Sequence, residues 1–192
     1  MIDKALDFIC KQMNTYLQLK YSITDGTSLI QLENIAWYES QDTNTADKSN
    51  AFISLVNVEE DRISKSPENY IRNPNGSLTY KNPKVFLNLY LLFSANLPVY
   101  EESLKRLSYI IQFFQNQNVF TTITNPSLPP EIDQLICDLY TISFQDLNNL
   151  WGVMGSKYLP SVIYKVRLVT INEDFAFAQA GVIKSITINS TQ

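Results

Sequence analysis

Histidine is absent from this 192-residue sequence. Without it, the chain has no histidine-based catalytic triad, no histidine-ligated zinc and no side chain with an ordinary pKa near neutrality. The two cysteines, Cys10 and Cys137, are far apart and lie within apolar patterns, so we interpret both as small buried hydrophobic residues rather than as a disulfide or a metal pair. The five glycines form no phosphate-binding loop. We therefore predict no catalytic residue, no metal site and no cofactor.

Charged side chains are also scarce, at 18% of the chain, and the net charge is -4. With 15 basic and 19 acidic residues, the chain offers no broad basic field to nucleic acid or to an anionic membrane. No apolar run approaches the roughly 20 residues that a membrane-spanning helix needs. Asp3 and Asp7 lie where an export signal would need an apolar core. We expect a chain made in the cytoplasm that binds no nucleic acid and does not insert into a membrane.

The strongest pattern in the chain is the alternation across residues 83–95. Its odd positions from Val85 to Phe93 are all apolar, and its even positions are mixed. One fully apolar face and one half-apolar face are typical of a strand that is covered on both sides. Pro83 suits the first position of such a strand, where a missing N–H matters least. We predict that this segment is the central strand of a sheet.

Three other segments have the spacing of amphipathic helices. In the third of them, Ser143 with Asp146 three residues later resembles an N-cap. The predicted buried stripes include Tyr100 and Leu104 in the second helix and Phe144 in the third. The three predicted helices cover residues 2–20, 98–116 and 143–155.

The remaining periodic segments are predicted strands. Residues 131–142 also fit a helical stripe, and we interpret them as a strand. Glu59, Glu60 and Asp61 are consecutive, so a strand points them to alternate faces and they do not converge on a metal or a substrate. Residues 64–82 are interpreted as a long loop or β-excursion. The other predicted strands cover residues 29–38, 51–63, 119–123 and 158–171.

These elements predict an α+β fold in one domain, with a mixed, mostly antiparallel sheet flanked by helices. Four stretches of the chain stand out together by their order and spacing: residues 53–62, 83–95, 100–120 and 150–167. As an ordered set they resemble the cap or tail-terminator proteins of extracellular contractile injection systems, of the antifeeding prophage and virulence cassette type. The resemblance covers roughly residues 1–172 and implies a tail-terminator-like fold.

The resemblance implies a structural protein without catalysis, which forms a ring at the end of an inner tube and sheath. The implied partners are further copies of the chain, as a ring that we expect to be a hexamer, and the sheath and inner-tube proteins of the particle. It also implies a particle that is released from the cell or anchored to a membrane. Another connector or baseplate subunit of a contractile tail is an alternative, as is an enzyme or ligand-binding domain without a visible motif.

Residues 173–192 are interpreted as a C-terminal strand or arm that follows a domain of residues 1–172. Their alternation has high β-propensity, and a strand at a chain end either lies on the edge of its own sheet or adds to the sheet of a neighbour. The predicted protein-interface residues of this arm are Phe175, Phe177, Val182, Ile183, Ile186 and Ile188.

Overall fold

The computed structural model describes residues 1–37, 50–61, 70–72, 78–80, 86–155, 157–170 and 179–180. Within them the helices are α1 (Ile2–Tyr21), α2 (Tyr100–Asn116) and α3 (Phe144–Met154), with a 3-10 turn at Ile35–Trp37. The strands are β1 (Ile30–Leu32), β2 (Asn50–Glu60), β3 (Tyr70–Arg72), β4 (Leu78–Tyr80), β5 (Phe86–Asn96), β6 (Val119–Thr121), β7 (Ile132–Tyr140), β8 (Ser161–Thr170) and β9 (Gln179–Ala180).

Six of these strands form one sheet in the order β1-β2-β5-β8-β7-β6, and β3, β4 and β9 form a second, small sheet. In the large sheet β1 pairs with β2 in parallel and every other pair is antiparallel. The predicted α+β class, with a mixed and mostly antiparallel sheet, is confirmed. The predicted central strand is also confirmed over Phe86–Asn96, between β2 and β8; Pro83 and Val85 lie outside the described residues.

Both faces of β5 are covered, as its alternation predicts. Leu89, Leu91 and Phe93 lie in the larger core, to which α1 and α2 contribute. Leu92 points to the opposite face and packs with Trp151 of α3 in a smaller core. We call these the α1–α2 face and the α3 face of the sheet. Burying each of these large apolar side chains contributes about 1.5–3 kcal/mol to folding.

The three helices form where the sequence predicts them, but two of the predicted buried stripes contain errors. Tyr100 is 65% exposed and Phe144 is 87% exposed, because each belongs to the first turn of its helix and has little chain packed over it. Leu104 is also exposed. The buried face of α2 instead includes two polar side chains, Ser103 and Arg106, which hydrogen-bond to backbone groups.

The predicted strand over residues 29–38 is wrong over most of its length. Only Ile30–Leu32 pairs with β2, and a 3-10 turn follows at Ile35–Trp37. The Asn34 side-chain oxygen accepts a hydrogen bond from the Ala36 N–H at 3.2 Å, and such a local bond favours a turn over a strand. Among the described residues, the large sheet therefore ends on this side in a strand of three residues.

The position of β1 depends on one polar side chain of α1. Asn14 Oδ1 accepts hydrogen bonds from the N–H groups of Leu29 and Ile30, at 2.7 and 3.1 Å. Its Nδ2 group donates to the Ile30 carbonyl at 2.8 Å. These bonds satisfy backbone groups that would otherwise be buried without partners. Strand β1 is therefore held by α1 through Asn14, in addition to its pairing with β2.

The third helix is capped as predicted. The Ser143 hydroxyl accepts a hydrogen bond from the Asp146 N–H at 3.1 Å, and Asp146 places a carboxylate in the first turn. Gly155 ends the helix with a φ of 65°, a left-handed conformation that costs glycine little. The prediction of a strand over residues 131–142 is confirmed as β7, and that of a β-excursion between β2 and β5 fits the short strands β3 and β4.

Candidate assembly surfaces

The predicted interface residues of the C-terminal arm all lie outside the described residues: Phe175, Phe177, Val182, Ile183, Ile186 and Ile188. Between them the structure describes Gln179–Ala180 as strand β9, which pairs antiparallel with Leu78 and Thr79 of β4. This part of the arm therefore has a strand partner within the same chain. The assignment of residues 173–192 as a separate arm stays a prediction.

One edge of the large sheet is stepped on the side of β1. Strand β1 pairs only with residues 51–53 of β2, while β2 continues to Glu60. In the described part of the chain no strand lies beside the remainder of β2 on that side. Leu55 and Val58 on this stretch are both 40% exposed, and so is Leu32 at the end of β1. We call the surface formed by Leu32, Leu55 and Val58 the β2 edge.

The opposite edge of the sheet is also stepped. Strand β6 pairs only with Gln134–Ile136 of β7, and β7 continues to Tyr140. Cys137 still bonds the Asn118 carbonyl through its N–H at 2.8 Å, and beyond it no described strand lies on that side. Leu139 is 56% exposed, and Tyr140 and Val119 are also exposed. We call the surface formed by Val119, Leu139 and Tyr140 the β7 edge.

A cleft of about 360 Å³ lies beside the β7 edge, between the C-terminal half of α2 and the end of β7. Ile111 and Phe114 of α2 form one wall, and Leu139 and Tyr164 form the other. The buried Cys137 thiol lies at this cleft, and burial raises its pKa, so it is a poor nucleophile. The lining also includes Gln115, Asn118 and Asp138, so the cleft has both apolar and polar walls.

On the α3 face, a polar and aromatic cluster occupies the part of the sheet near Tyr90. The Tyr90 hydroxyl donates to Glu59 at 2.8 Å, and the Tyr90 and Tyr140 rings meet edge to face at 4.9 Å. Burial, and then the Glu59 carboxylate, raises the pKa of Tyr90 to about 12. Arg167 pairs with Asp138 at 3.1 Å. Because the Tyr90 hydroxyl and the charges of Glu59, Asp138 and Arg167 all have partners, we interpret this cluster as a stabilised part of the sheet surface rather than as an acid–base site.

A second cleft, of about 310 Å³, lies on α3 itself. Phe144, Leu147 and Trp151 line it from the helix, and Tyr158 closes it from the following segment. Trp151 and Tyr158 meet edge to face at 5.7 Å. Because Phe144 and Tyr158 are exposed, this end of the molecule presents aromatic surface, which is typical of protein interfaces.

Across the described ranges, no group of three or more histidine, cysteine, aspartate or glutamate side chains is placed to hold a metal ion. The acids Glu59 and Glu60 at the end of β2 are exposed, as predicted for a strand end. None of the helices that the structure describes is long and apolar enough to cross a membrane.

The fold is similar to two solved structures. One is the sheath/tube terminator of an extracellular contractile injection system, PVC, in the extended state, with a TM-score of 0.64 and 16% identity over 100% of this chain and 64% of that chain. The other is the tube-terminating cap of the anti-feeding prophage, AFP, with a TM-score of 0.61 and 15% identity over 95% of this chain and 60% of that chain. No curated protein sequence matches the chain.

The sheet with helices on both faces therefore has the fold of the tail terminators, and the chain spans less than two thirds of the length of either solved terminator. The model of the Pvc16 N-terminal domain family matches residues 7–185, and the chain belongs to this family. The family resemblance predicted from the sequence is confirmed.

The sequence prediction placed the interface on the C-terminal arm, which stays a prediction, and did not anticipate the exposed apolar side chains at the two sheet edges. The β2 edge was missed because the predicted strand over residues 29–38 would have covered Leu55. Asn34 was the available signal, since asparagine favours turns through its side-chain oxygen. No comparable sequence signal marks the β7 edge, because the exposure of Leu139 depends on how far β6 extends.

Proposed function

We propose that this chain is the structural cap, or tail terminator, of a phage-tail-like contractile injection system. The observation that carries the proposal is the fold shared with the PVC sheath/tube terminator across the whole of this chain. Membership of the Pvc16 N-terminal domain family supports the cap proposal independently of the similarity in fold. In this role the chain ends the inner tube and the sheath and performs no catalysis.

We infer that the working form is a ring, sixfold like the tails that such proteins cap. A ring forms when one surface of a copy binds a different surface of the next copy and the rotation closes. The apolar side chains exposed at the two sheet edges are consistent with self-association, since burying apolar area against another copy is favourable. The sheath and the inner tube are the other proposed partners, and a net charge of -4 favours neither nucleic acid nor an anionic membrane.

The C-terminal arm, residues 173–192, is proposed as a docking segment. Its predicted interface residues alternate as in a strand, and a strand adds to the sheet of a neighbour through backbone hydrogen bonds without needing a deep pocket. The pairing of β9 with β4 favours the simpler alternative, in which the arm stays on its own chain. Truncation distinguishes the two roles, as set out in the Discussion.

The test of the cap function is electron microscopy of particles from cells that lack the chain. We expect complete baseplates with tubes and sheaths of uncontrolled length, and restoration of uniform length when the chain is supplied. Particles without baseplates, or no particles at all, favour a connector or baseplate role. Normal particles of uniform length overturn the proposal. We expect to find the chain at one end of released particles.

A further inference from the structure

Two segments that are distant in the sequence leave the large sheet at the same end. Strand β2 finishes there and β5 starts there, because Glu60 pairs with Leu87. Strand β8 finishes at that end too, because Val169 pairs with Phe86. The β-excursion between β2 and β5 and the C-terminal arm that follows β8 therefore begin from one end of the large sheet.

The excursion and the arm meet in the small sheet. Strands β3 and β4 of the excursion pair antiparallel. Strand β9 of the arm pairs with the other side of β4, where Leu78 lies opposite Ala180 and Thr79 lies opposite Gln179. The strand order β3-β4-β9 places β4 in the middle. Backbone pairing thus joins the C-terminal arm to the excursion within one chain.

The β3–β4 pair is short, and β9 supplies its third strand. Each of the two strands has only three residues. A two-stranded pair is at best marginally stable in water by itself, and a third strand is one of the features that stabilise it. Among the strands that the structure describes, β9 alone extends this pair, since the small sheet shares no strand with the large one. Order in the β3–β4 pair should therefore depend on β9.

The pairings of the large sheet do not depend on β9. Its order is β1-β2-β5-β8-β7-β6, and no residue of β9 takes part in it. Separating β9 from β4 removes one strand from the small sheet and leaves every strand pair of the large sheet in place. The two sheets can therefore be followed separately in an experiment.

We propose that β9 is a strap that holds the β3–β4 pair together, so that the C-terminal arm and the β-excursion become ordered as one unit. Removing β9 from β4 then releases the β3–β4 pair, which gives the arm a conformational effect on a segment far away in the sequence. Local units of this kind open at a lower free energy than the rest of a domain. The proposal goes beyond the cap function and does not rest on it, because it concerns order within one chain.

Two full-length variants test the strap. Gln179→Pro with Ala180→Pro removes both backbone N–H groups of β9, and proline is poorly tolerated within a strand; we call this the strap variant. The matched control, Ser190→Pro with Thr191→Pro, places the same two residues in the arm after β9. Hydrogen exchange followed by mass spectrometry compares both variants with the wild type.

We expect the strap variant to exchange at least about tenfold faster than the wild type over residues 70–72 and 78–80, because opening the small sheet costs less without β9. Exchange over residues 86–96 should stay unchanged, since β5 pairs with β2 and β8. The control should exchange like the wild type over all three stretches.

Three results overturn the proposal. The first is exchange over residues 70–72 and 78–80 that is no faster in the strap variant than in the wild type. The second is an equal acceleration in the control, which would show that β9 has no special role. The third is an equal acceleration over residues 86–96, which would make β9 part of the folding of the whole domain.

A reversible lock tests the strap without disrupting a strand. In a background with Cys10→Ala and Cys137→Ala, Thr79→Cys with Gln179→Cys places two thiols on residues that lie directly opposite each other. Such residues have Cβ atoms about 4.5–5.5 Å apart, which is close to the spacing of a disulfide. Oxidation should form the disulfide within one chain and slow exchange over residues 78–80 about tenfold, and a reductant should reverse the effect.

The control for the lock is a disulfide in the large sheet. Ser94→Cys with Ser161→Cys joins paired residues of β5 and β8 in the same background. Oxidation of this control should leave exchange over residues 78–80 unchanged. If the pair at positions 79 and 179 forms no disulfide within one chain, or if its disulfide slows exchange no more than the control does, the strap proposal is wrong.

Discussion

Arg106 of α2 donates a hydrogen bond to the Leu29 carbonyl at 2.7 Å, although the two residues are 77 positions apart. Arg106 is only 7% exposed. Its guanidinium also donates to Asn50 Oδ1 at 3.3 Å and lies at 5.0 Å over the Tyr21 ring. One buried cation thus joins α2 to the beginnings of β1 and β2. Since Leu29 leads directly into β1, this contact also helps to determine where the β2 edge begins.

Replacing Arg106 by alanine should destabilise the fold by about 2–4 kcal/mol, because the Leu29 carbonyl and the Asn50 side chain lose a charged donor inside the protein. Urea unfolding followed by circular dichroism measures this change. The neighbouring Lys105→Ala, which removes an exposed cation paired with Glu102, should cost less than about 1 kcal/mol. Equal effects of the two changes would contradict the structural role of Arg106.

Phe93→Ala should be among the most damaging changes in the chain, with a loss of about 3–5 kcal/mol. Phe93 is fully buried and meets the rings of Phe114 and Tyr164 edge to face at 5.5 and 5.6 Å. The matched control is Phe144→Ala, where the ring is exposed and the change should stay within about 0.5 kcal/mol. Chemical unfolding of both variants is the measurement, and a small effect at Phe93 would place the core elsewhere.

Ser143→Ala removes the N-cap of α3 and should cost about 1 kcal/mol. The hydroxyl accepts from the Asp146 N–H, and alanine leaves that donor without its partner. Ser143→Asp should retain most of the stability, because a carboxylate accepts the same bond and suits the positive end of the helix. If serine, alanine and aspartate give the same unfolding midpoint, the cap contributes nothing.

Stability should fall between about pH 10 and about pH 12, partly through Tyr164. Burial, and then the nearby Cys137, raises the pKa of Tyr164 to about 12, whereas an unfolded tyrosine has a pKa of about 10. The unfolded chain therefore loses its proton first, so the stabilisation is complete below about pH 10 and is lost as the pH rises through about 12. Urea midpoints measured across this range should fall less steeply in Tyr164→Phe.

Truncation after Asn172 separates the two roles of the C-terminal arm. If the arm docks the ring, the shortened chain stays folded and soluble, because the six-stranded sheet is complete without it, and it no longer caps particles. Melting curves and electron microscopy give the two readouts. A shortened chain that melts early or aggregates assigns the arm to its own domain instead. Normal folding with normal capping contradicts both roles.

The sequence alone determined the elements whose stability is local or strongly periodic. The alternation around Leu89, Leu91 and Phe93 predicts a strand covered on both faces, and the sheet buries it on both. The helical spacing and the Ser143 cap predict three helices, because a stripe of apolar residues and a local hydrogen bond act within one segment. The order of four stretches was enough to predict the family.

Tertiary structure decided where the sheet stops and which side chains remain exposed. Leu55 and Leu139 have the alternation of core residues, and both are exposed because β1 and β6 are only three residues long. Arg106 is charged, and it is buried because two carbonyl groups from distant segments converge on it. Such facts depend on contacts between residues far apart in the chain, and no local pattern of hydrophobicity records how far a neighbouring strand extends.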